Sequence, residues 1–370
     1  MTFPRPLPSR LRWLMLMTHV PPSGAGGGMI RYVMEMATAL HSRPDVELHV
    51  VCSAPSKEMF ESRLGVGRAH VLPALPTTAM SLIEREALDR LVVRGRFDVV
   101  HGAKNLLPRR AAGALRLLTV HDMLLLDRPT DFGRVKSLLV QAPYLSSARA
   151  ADAIVCVSAA TRDRLCAYLP EVAARAHVVP VASPRALLDA APVPVEGLVP
   201  GRFAVVVGDP TGRKNVALAT GVWGRVREAH PDAVLAVIGP SGWGATSFGA
   251  AAGRLVDEGA VRLMGHIDDG ALRWAYENAA VALCPSLAEG FGAPSVEAGT
   301  LGAPVITSDD PAMCEVSGAE AVHISALDTD AWAAAVIDHL SYPRERRPRP
   351  PDRTYADVAD ETVAVVRDAA

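Results

Sequence analysis

The chain has 370 residues, of which 49% are hydrophobic and 21% are charged, a composition that excludes general disorder and suffices for about two domains. Its net charge of −2 is unevenly spread: residues 1–180 hold 23 Lys and Arg against 15 Asp and Glu, a charge of +8, whereas residues 181–370 carry −10. No run of Lys or Arg is interleaved with aromatic residues, which argues against a nucleic-acid partner, while the basic half is compatible with peripheral membrane contact.

Near the N terminus, the apolar residues Trp13–Met17 follow basic ones, as in a signal peptide. The run is short and no small-residue cleavage site follows it, so we interpret it as a buried first strand. No apolar run approaches the ~18 residues that span a bilayer. The five cysteines are odd in number and lack CxxC spacing, which argues against disulfides or a zinc site. These features together predict a cytoplasmic protein.

Strand-like apolar runs alternate with helix-like segments in the first half. The predicted strands are Leu11–Met17, Val46–Cys52, Phe97–His101, Leu115–Val120, Ala153–Val157 and Ala176–Val181. Most are continuously apolar, as is typical of parallel strands covered on both faces. An amphipathic helix is predicted between the first two strands, at Met29–Leu40. The βαβ pattern predicts a doubly wound sheet.

Four prolines and little periodicity mark residues 181–200 as a linker, after which the βαβ pattern restarts. The strands predicted there are Phe203–Val207, Val234–Ile238, Val261–Met264, Val281–Cys284, Pro304–Thr307 and Ala321–Ile324. The predicted fold is therefore α/β, with two Rossmann-like doubly wound domains facing across a cleft. The first predicted domain comprises residues 1–180 and the second 201–342, followed at 343–370 by a loop and a last helix, Tyr355–Arg367.

A glycine-rich loop, Pro21–Gly28, lies between the first strand and the first helix. Gly26, Gly27 and Gly28 would let backbone N–H groups approach a phosphate or an acceptor at the helix N-terminus. A dinucleotide site is the less favoured alternative, because Met29 stands where the GxGxxG pattern needs its third glycine. A plain flexible loop is another.

Three further motifs follow predicted strands, where open α/β sheets bind their ligands. The first, TVHD at Thr119–Asp122, offers His121 to orient a hydroxyl or move a proton. GDPTGRKN, at 208–215, places two cations, Arg213 and Lys214, at a predicted helix start, where they suit a diphosphate. For either motif, ordinary surface residues are the alternative.

The sharpest motif is EGFGAPSVE, Glu289–Glu297. Its glycines predict a tight loop with exposed amides, including those of Phe291 and Gly292, and Pro294 suits the first turn of a helix. The amides would bind a phosphate or sugar oxygen, and the two carboxylates would accept hydrogen bonds from sugar and ribose hydroxyls. Helix capping or an ion pair is the alternative role for either glutamate.

Together with VSAATRDRL (157–165) and GAPVITSD (302–309), these motifs resemble family four of the retaining glycosyltransferases, which have the GT-B architecture of two Rossmann domains. The resemblance covers nearly the whole chain. It implies a hexosyltransferase that uses a nucleotide-sugar donor, UDP- or GDP-linked, and a small-molecule, lipid-linked or saccharide acceptor. Two alternatives of the same architecture remain: a nucleotide-sugar epimerase and a catalytically silent binding protein.

The resemblance also implies that residues 1–180 are the acceptor-side domain and 201–342 the nucleotide-sugar donor domain, and that the last helix crosses back to the first domain. It implies roles for individual residues as well. Glu297 would bind the donor ribose, Glu289 the donor sugar, and Arg213 and Lys214 the diphosphate. His121 would contact the donor sugar near the reaction centre. Many relatives carry Arg where this chain has Asp209, and we interpret Arg213 as its replacement. No DxD motif stands at a suitable strand end, so no metal or other cofactor is expected.

Overall fold

The computed structural model describes residues 6–72, 88–111, 113–132, 134–209, 211–240, 252–342, 348 and 351–370. It divides into two compact units, one comprising 1–182 with 353–370 and the other comprising 183–352. Each unit is built on one parallel sheet with helices on both faces, so the two predicted Rossmann-like domains are confirmed.

Unit 1 holds a seven-stranded sheet in the order β3-β2-β1-β4-β5-β6-β7. Its strands are β1 (Leu11–Leu16), β2 (Val46–Ser53), β3 (Ala69–Leu72), β4 (Val99–Gly102), β5 (Leu115–Val120), β6 (Ala153–Cys156) and β7 (Ala176–Val178). Its helices are α1 (Gly28–Ser42), α2 (Lys57–Leu64), α3 (Asp89–Gly95), α4 (Leu124–Asp127), α5 (Arg134–Ala150) and α6 (Ala159–Tyr168). The central strand β1 is almost wholly buried, as its continuous apolar sequence predicts.

Unit 2 holds a six-stranded sheet in the order β10-β9-β8-β11-β12-β13. The strands are β8 (Phe203–Val207), β9 (Val234–Ile238), β10 (Val261–Gly265), β11 (Val281–Cys284), β12 (Val305–Ser308) and β13 (Val322–Ile324). The helices are α7 (Arg185–Asp189), α8 (Val216–Ala229), α9 (Ala252–Asp257), α10 (Asp269–Asn278), α11 (Ala293–Thr300), α12 (Pro311–Val316) and α13 (Thr329–Ser341). Apolar clusters cover both faces of the sheet.

The last helix, α14 (Tyr355–Asp368), packs against α1 in unit 1. Its Asp360 pairs with Arg43, and Arg367 bonds Asp45 at 3.1 Å. Part of the acidic excess of the second half of the sequence therefore belongs to the basic unit. The predicted loop before this helix lies largely outside the described residues. None of the helices within the described residues is long and apolar enough to cross a membrane.

The observed strands and helices differ from the predicted ones in two places. The strand β3 was not predicted; it lies at the sheet edge and has only four residues, of which one is buried. The predicted linker contains the helix α7, whose Leu187 is fully buried in the core of unit 2. Prolines on either side had suggested an irregular segment.

Both sheets have a switch point, where neighbouring central strands connect outward in opposite directions. In unit 1 the switch point lies between β1 and β4, and in unit 2 between β8 and β11. Crevices outside the carboxyl ends of such strand pairs are the usual ligand sites of open α/β sheets. The residues that follow these four strands therefore define where to look for a site.

Candidate functional site

At the switch point of unit 2, cations that follow β8 meet a carboxylate that follows β11. Glu289 Oε1 accepts hydrogen bonds from Lys214 Nζ at 2.5 Å and from Arg213 Nη1 at 3.1 Å. All three side chains are largely buried. Burial alone would raise the pKa of the Glu289 carboxyl, but the charges of Lys214 and Arg213 outweigh it and lower that pKa to about 2.

The loop between β8 and α8 gives Arg213 and Lys214 their position. They lie in a single 3-10 turn, Gly212–Lys214, and Asn215 follows in a left-handed conformation before α8 begins at Val216. The two cations thus lie immediately before α8, at the predicted helix start. Asp209 lies 3.5 Å from Arg213, so the acidic residue at the position of the missing arginine contacts the cation interpreted as its replacement.

A small pocket opens beside this cluster, entirely within unit 2. Its lining residues are Val206, Val207, Lys214, Leu283, Cys284, Pro285, Ser286, Glu289, Gly292, Pro294 and Met313. They come from the ends of β8 and β11, from the loop after β11 and from α11 and α12. One wall is apolar and another carries the Lys214–Glu289 pair, a combination typical of small-molecule sites.

Gly292 caps the N-terminus of α11 in a left-handed conformation with φ of 88°. A Cβ atom there would lie 2.4 Å from Met313 Sδ, so both the backbone conformation and the space require glycine. Pro294 lies in the first turn of α11, as predicted. The loop thus brings Gly292 and the N-terminus of α11 to the pocket, and such a helix terminus favours an anion.

Replacing Gly292 with Ala should lower the free energy of unfolding of unit 2 by about 1–3 kcal/mol through backbone strain, with the Met313 contact adding to the loss. Gly299→Ala is the matched control, because Gly299 lies in the same helix and its added Cβ meets nothing within 4 Å. Urea denaturation of the two variants measures the difference. Equal midpoints for both would contradict this role of Gly292.

Glu297 lies in α11, and its side chain is buried. Its Oε2 accepts a hydrogen bond from Tyr276 Oη, which α10 supplies, at 3.3 Å. Tyr276 is itself fully buried and belongs to the core of unit 2. No sequence motif pointed to Tyr276, which contacts Glu297 from another helix.

At the end of β5 in unit 1, His121 is held through both its backbone and its ring. Its N–H donates to Asn105 Oδ1 at 2.8 Å, and its Nε2 donates to the Ala103 carbonyl at 2.8 Å. A carbonyl only accepts, so Nε2 carries the proton and Nδ1 keeps a lone pair. Burial lowers the pKa of His121 to about 4, so the imidazole is neutral near pH 7.

Aromatic rings connect His121 to two helices of the same unit. Tyr32 of α1 packs edge-to-face on His121 at 4.8 Å between ring centroids, and Tyr355 of α14 lies 6.1 Å from Tyr32. Asn105 also donates to Tyr144, which donates to the Asp122 carbonyl at 2.7 Å. Sequence reasoning missed Asn105, Tyr32 and Tyr355, because their partners are far away in the chain.

The glycine loop ends at the N-terminus of α1, where Gly27 is the capping residue and Gly28 begins the helix. A Cβ on Gly27 or Gly28 would meet nothing within 4 Å, so the packing of the chain leaves open space there. Gly26 differs, because its Cβ would collide with the Ile30 side chain. Space beside exposed amides is what a close approach by a ligand needs.

Comparison with known proteins gives the family of this chain. Residues 26–182 match the model of Glycosyltransferase Family 4, and residues 198–354 match that of Glycosyl transferases group 1. Each model falls almost entirely on one of the two units. The chain belongs to the glycosyltransferase family that these two models together describe, and it has the GT-B architecture.

Individual relatives are more distant. The chain is similar to the O-antigen chain mannosyltransferase B of Escherichia coli, with 26% identity over a match that covers 65% of each chain, just under two thirds of the relative. Its fold is similar to that of sucrose-phosphate synthase from Thermosynechococcus elongatus, with a TM-score of 0.69, 18% identity, and 96% and 95% of the two chains covered. It is also similar to Anabaena HepE solved with UDP and glucose, with a TM-score of 0.62, 14% identity, and 96% and 95% covered.

Proposed function

We propose that this chain is a retaining, metal-independent hexosyltransferase that moves a sugar from a UDP- or GDP-sugar to a saccharide acceptor. The observation that carries the proposal is the cluster of Lys214, Arg213 and Glu289 beside the N-terminus of α11. It combines two cations, a helix N-terminus and a carboxylate at the usual ligand position of the sheet. HepE of the same fold binds UDP and glucose, which supports a nucleotide-sugar donor.

In the donor complex, Lys214 and Arg213 turn from Glu289 to the diphosphate, whose charge grows as the glycosidic bond breaks. The released Glu289 carboxylate accepts hydrogen bonds from hydroxyls of the donor sugar. Glu297 accepts hydrogen bonds from the ribose hydroxyls, and the amides of Phe291 and Gly292 face the sugar and the diphosphate. Two protein cations supply the charge that a metal ion supplies elsewhere.

Retention of the anomeric configuration requires either a nucleophile or attack from the face of departure. In the proposed donor complex the released Glu289 carboxylate is occupied by hydroxyls of the donor sugar, and we assign no other described residue as a nucleophile. We therefore favour front-face transfer. The anomeric C–O bond breaks and its electron pair passes to the diphosphate, the acceptor oxygen bonds on the same face, and the diphosphate takes the acceptor proton.

The test follows UDP- and GDP-sugars, GDP-mannose among them, by proton NMR with and without methyl glycosides as acceptors. Transfer needs the acceptor, survives EDTA, and gives a product with the anomeric configuration of the donor. Conversion of the donor sugar without an acceptor would identify an epimerase instead. Inversion would contradict retention. A reversible loss of activity in EDTA would contradict metal independence.

His121 is expected to act on the reaction more than on nucleotide binding. His121→Ala removes the Nδ1 lone pair that would accept a hydrogen bond from the donor sugar, and kcat should fall about 100-fold. Because the nucleotide site lies in unit 2, the Kd for UDP or GDP should stay within about twofold. An equal collapse of nucleotide affinity would show that His121 has a structural role.

A further inference from the structure

His19, which follows β1 at the switch point of unit 1, has two buried ring nitrogens, neither of which has a hydrogen-bond partner among the residues that the structure describes. A buried polar group without a partner costs about 1–3 kcal/mol, so such a group calls for an explanation. The register of the neighbouring strands shows which side chains lie near His19. In the β1–β4 register Trp13 pairs with Val99, and the same offset brings Thr18 beside Lys104, whose Nζ donates to Thr18 Oγ1 at 3.4 Å.

The same reasoning extends one strand further. In the β4–β5 register His101 pairs with Leu117, and this offset brings Asn105 beside His121, where the Asn105–His121 bond is found. His19, Lys104 and His121 therefore follow three adjacent strands and form one row at the carboxyl edge of the sheet. Besides burial, Lys104 and His121 contribute to the lowering of the pKa of His19, as neighbours in such a row would.

The chemistry of His19 selects the kind of ligand. Burial, with the charge of Lys104 as a second cause, lowers the pKa of His19 to about 3, so the ring is neutral near pH 7. A neutral imidazole offers one N–H donor and one lone pair. Hydroxyl groups, which both donate and accept, satisfy both nitrogens, whereas a phosphate would satisfy only the donor.

We infer that His19 is a specificity residue of the acceptor site, and that it binds hydroxyl groups of a neutral saccharide in the row formed with Lys104 and His121. This inference rests on the proposed function and names a residue that recognises the saccharide acceptor. The saccharide supplies the hydrogen bonds that the ring nitrogens of His19 lack among the described residues. The switch point of unit 1 is then the counterpart of the switch point of unit 2.

The test uses the full chain, with methyl α-glycosides of mannose, glucose, galactose and N-acetylglucosamine as probes and inorganic phosphate as the anionic comparison. Imidazole nitrogen NMR follows His19 directly, without any donor. At least one glycoside should shift both ring nitrogens of His19 more than phosphate does. In His19→Phe, the affinity for that glycoside should fall at least tenfold, whereas the Kd for UDP or GDP should stay within about twofold.

His41→Phe is the matched control, because His41 lies on the exposed last turn of α1. It should leave glycoside binding unchanged. His19→Phe should keep or raise the melting temperature, because an apolar ring replaces two unpartnered nitrogens, whereas a structural histidine would lower it on removal. Silent His19 resonances with every glycoside, a preference for phosphate, or unchanged glycoside affinity in His19→Phe would overturn the inference.

Failure of the proposed function has a different signature. If glycosides bind at His19 but no donor transfers its sugar, the transferase proposal fails and the saccharide site stands. If transfer occurs while the glycosides leave His19 unaffected, the transferase stands and this role of His19 fails.

Discussion

Glu289→Gln is expected to destabilise unit 2 by about 3–5 kcal/mol while strengthening the binding of nucleoside diphosphates. The substitution keeps the shape of the side chain but removes the charge that Lys214 and Arg213 share. Two largely buried cations then lose the carboxylate that they share, and Asp209, 3.5 Å from Arg213, is more exposed than Glu289, so the buried ion pair is broken in the costly way. Urea denaturation measures the loss of stability.

The gain in affinity follows from the same electrostatics. A diphosphate must displace Glu289 from both cations in the wild-type chain, but it meets no such competitor in the variant. Calorimetry with UDP and GDP should therefore show tighter binding to Glu289→Gln, although sugar transfer falls. Glu258→Gln is the control, because Glu258 forms an exposed ion pair with Arg227 at 3.9 Å. This substitution should change the free energy of unfolding by at most about 1 kcal/mol. Weaker diphosphate binding in Glu289→Gln would contradict the competition.

Mild acid should unfold unit 1 well before unit 2, because unit 1 buries three neutral histidines. Burial lowers the pKa of His19 and His101 to about 3 and that of His121 to about 4, from 6.5 in the unfolded chain. Between pH 6.5 and about 4 the unfolded chain binds more protons, so stability falls as the pH falls. With three such histidines, the free energy of unfolding of unit 1 should fall by about 4 kcal/mol per pH unit, or by about 6 kcal/mol from pH 7 to pH 5.

Buried cysteines allow the two units to be followed separately. Cys156 lies in β6 of unit 1 and Cys284 in β11 of unit 2, and both thiols are buried. Labelling with a pyridyl disulfide during urea unfolding at pH 7, 6 and 5 should show the midpoint of Cys156 falling steeply and that of Cys284 much less. Glu289 does not account for such a loss, because its lowered pKa affects stability only below about 4.5. His19→Phe should remove about a third of the slope, and parallel shifts for both cysteines would contradict the prediction.

Local sequence carried much of the fold. Continuous apolar runs predicted β1, β5, β8 and β11 to within one residue, because a strand covered on both faces needs such a run. The edge strand β3 has no such requirement and was missed. Residue types at strand ends also led to His121, Lys214 and Glu289, since chain order places them at the carboxyl edges of the sheets.

Contacts between distant segments could not be predicted in the same way. That Glu289 pairs with both Lys214 and Arg213 depends on the register of β8 with β11, which a single sequence does not specify. Tyr276 reaches Glu297, and Tyr355 reaches Tyr32, from helices far along the chain. His19 could not be predicted as a site residue, because only the burial of its ring nitrogens distinguishes it.

Calorimetry with a nucleoside monophosphate and the matching diphosphate tests most directly whether unit 2 is a nucleotide-sugar site. The wild-type chain should bind UDP or GDP more tightly than UMP or GMP. Lys214→Ala should reduce that advantage and leave monophosphate binding intact, because in the proposed site the lysine binds the diphosphate together with Arg213. Glu297→Ala should weaken both ligands equally, by about 1–3 kcal/mol, because its proposed partner is the ribose that they share. A wild-type chain that binds neither nucleotide, or a Lys214→Ala variant that keeps the full preference for the diphosphate, would contradict the account.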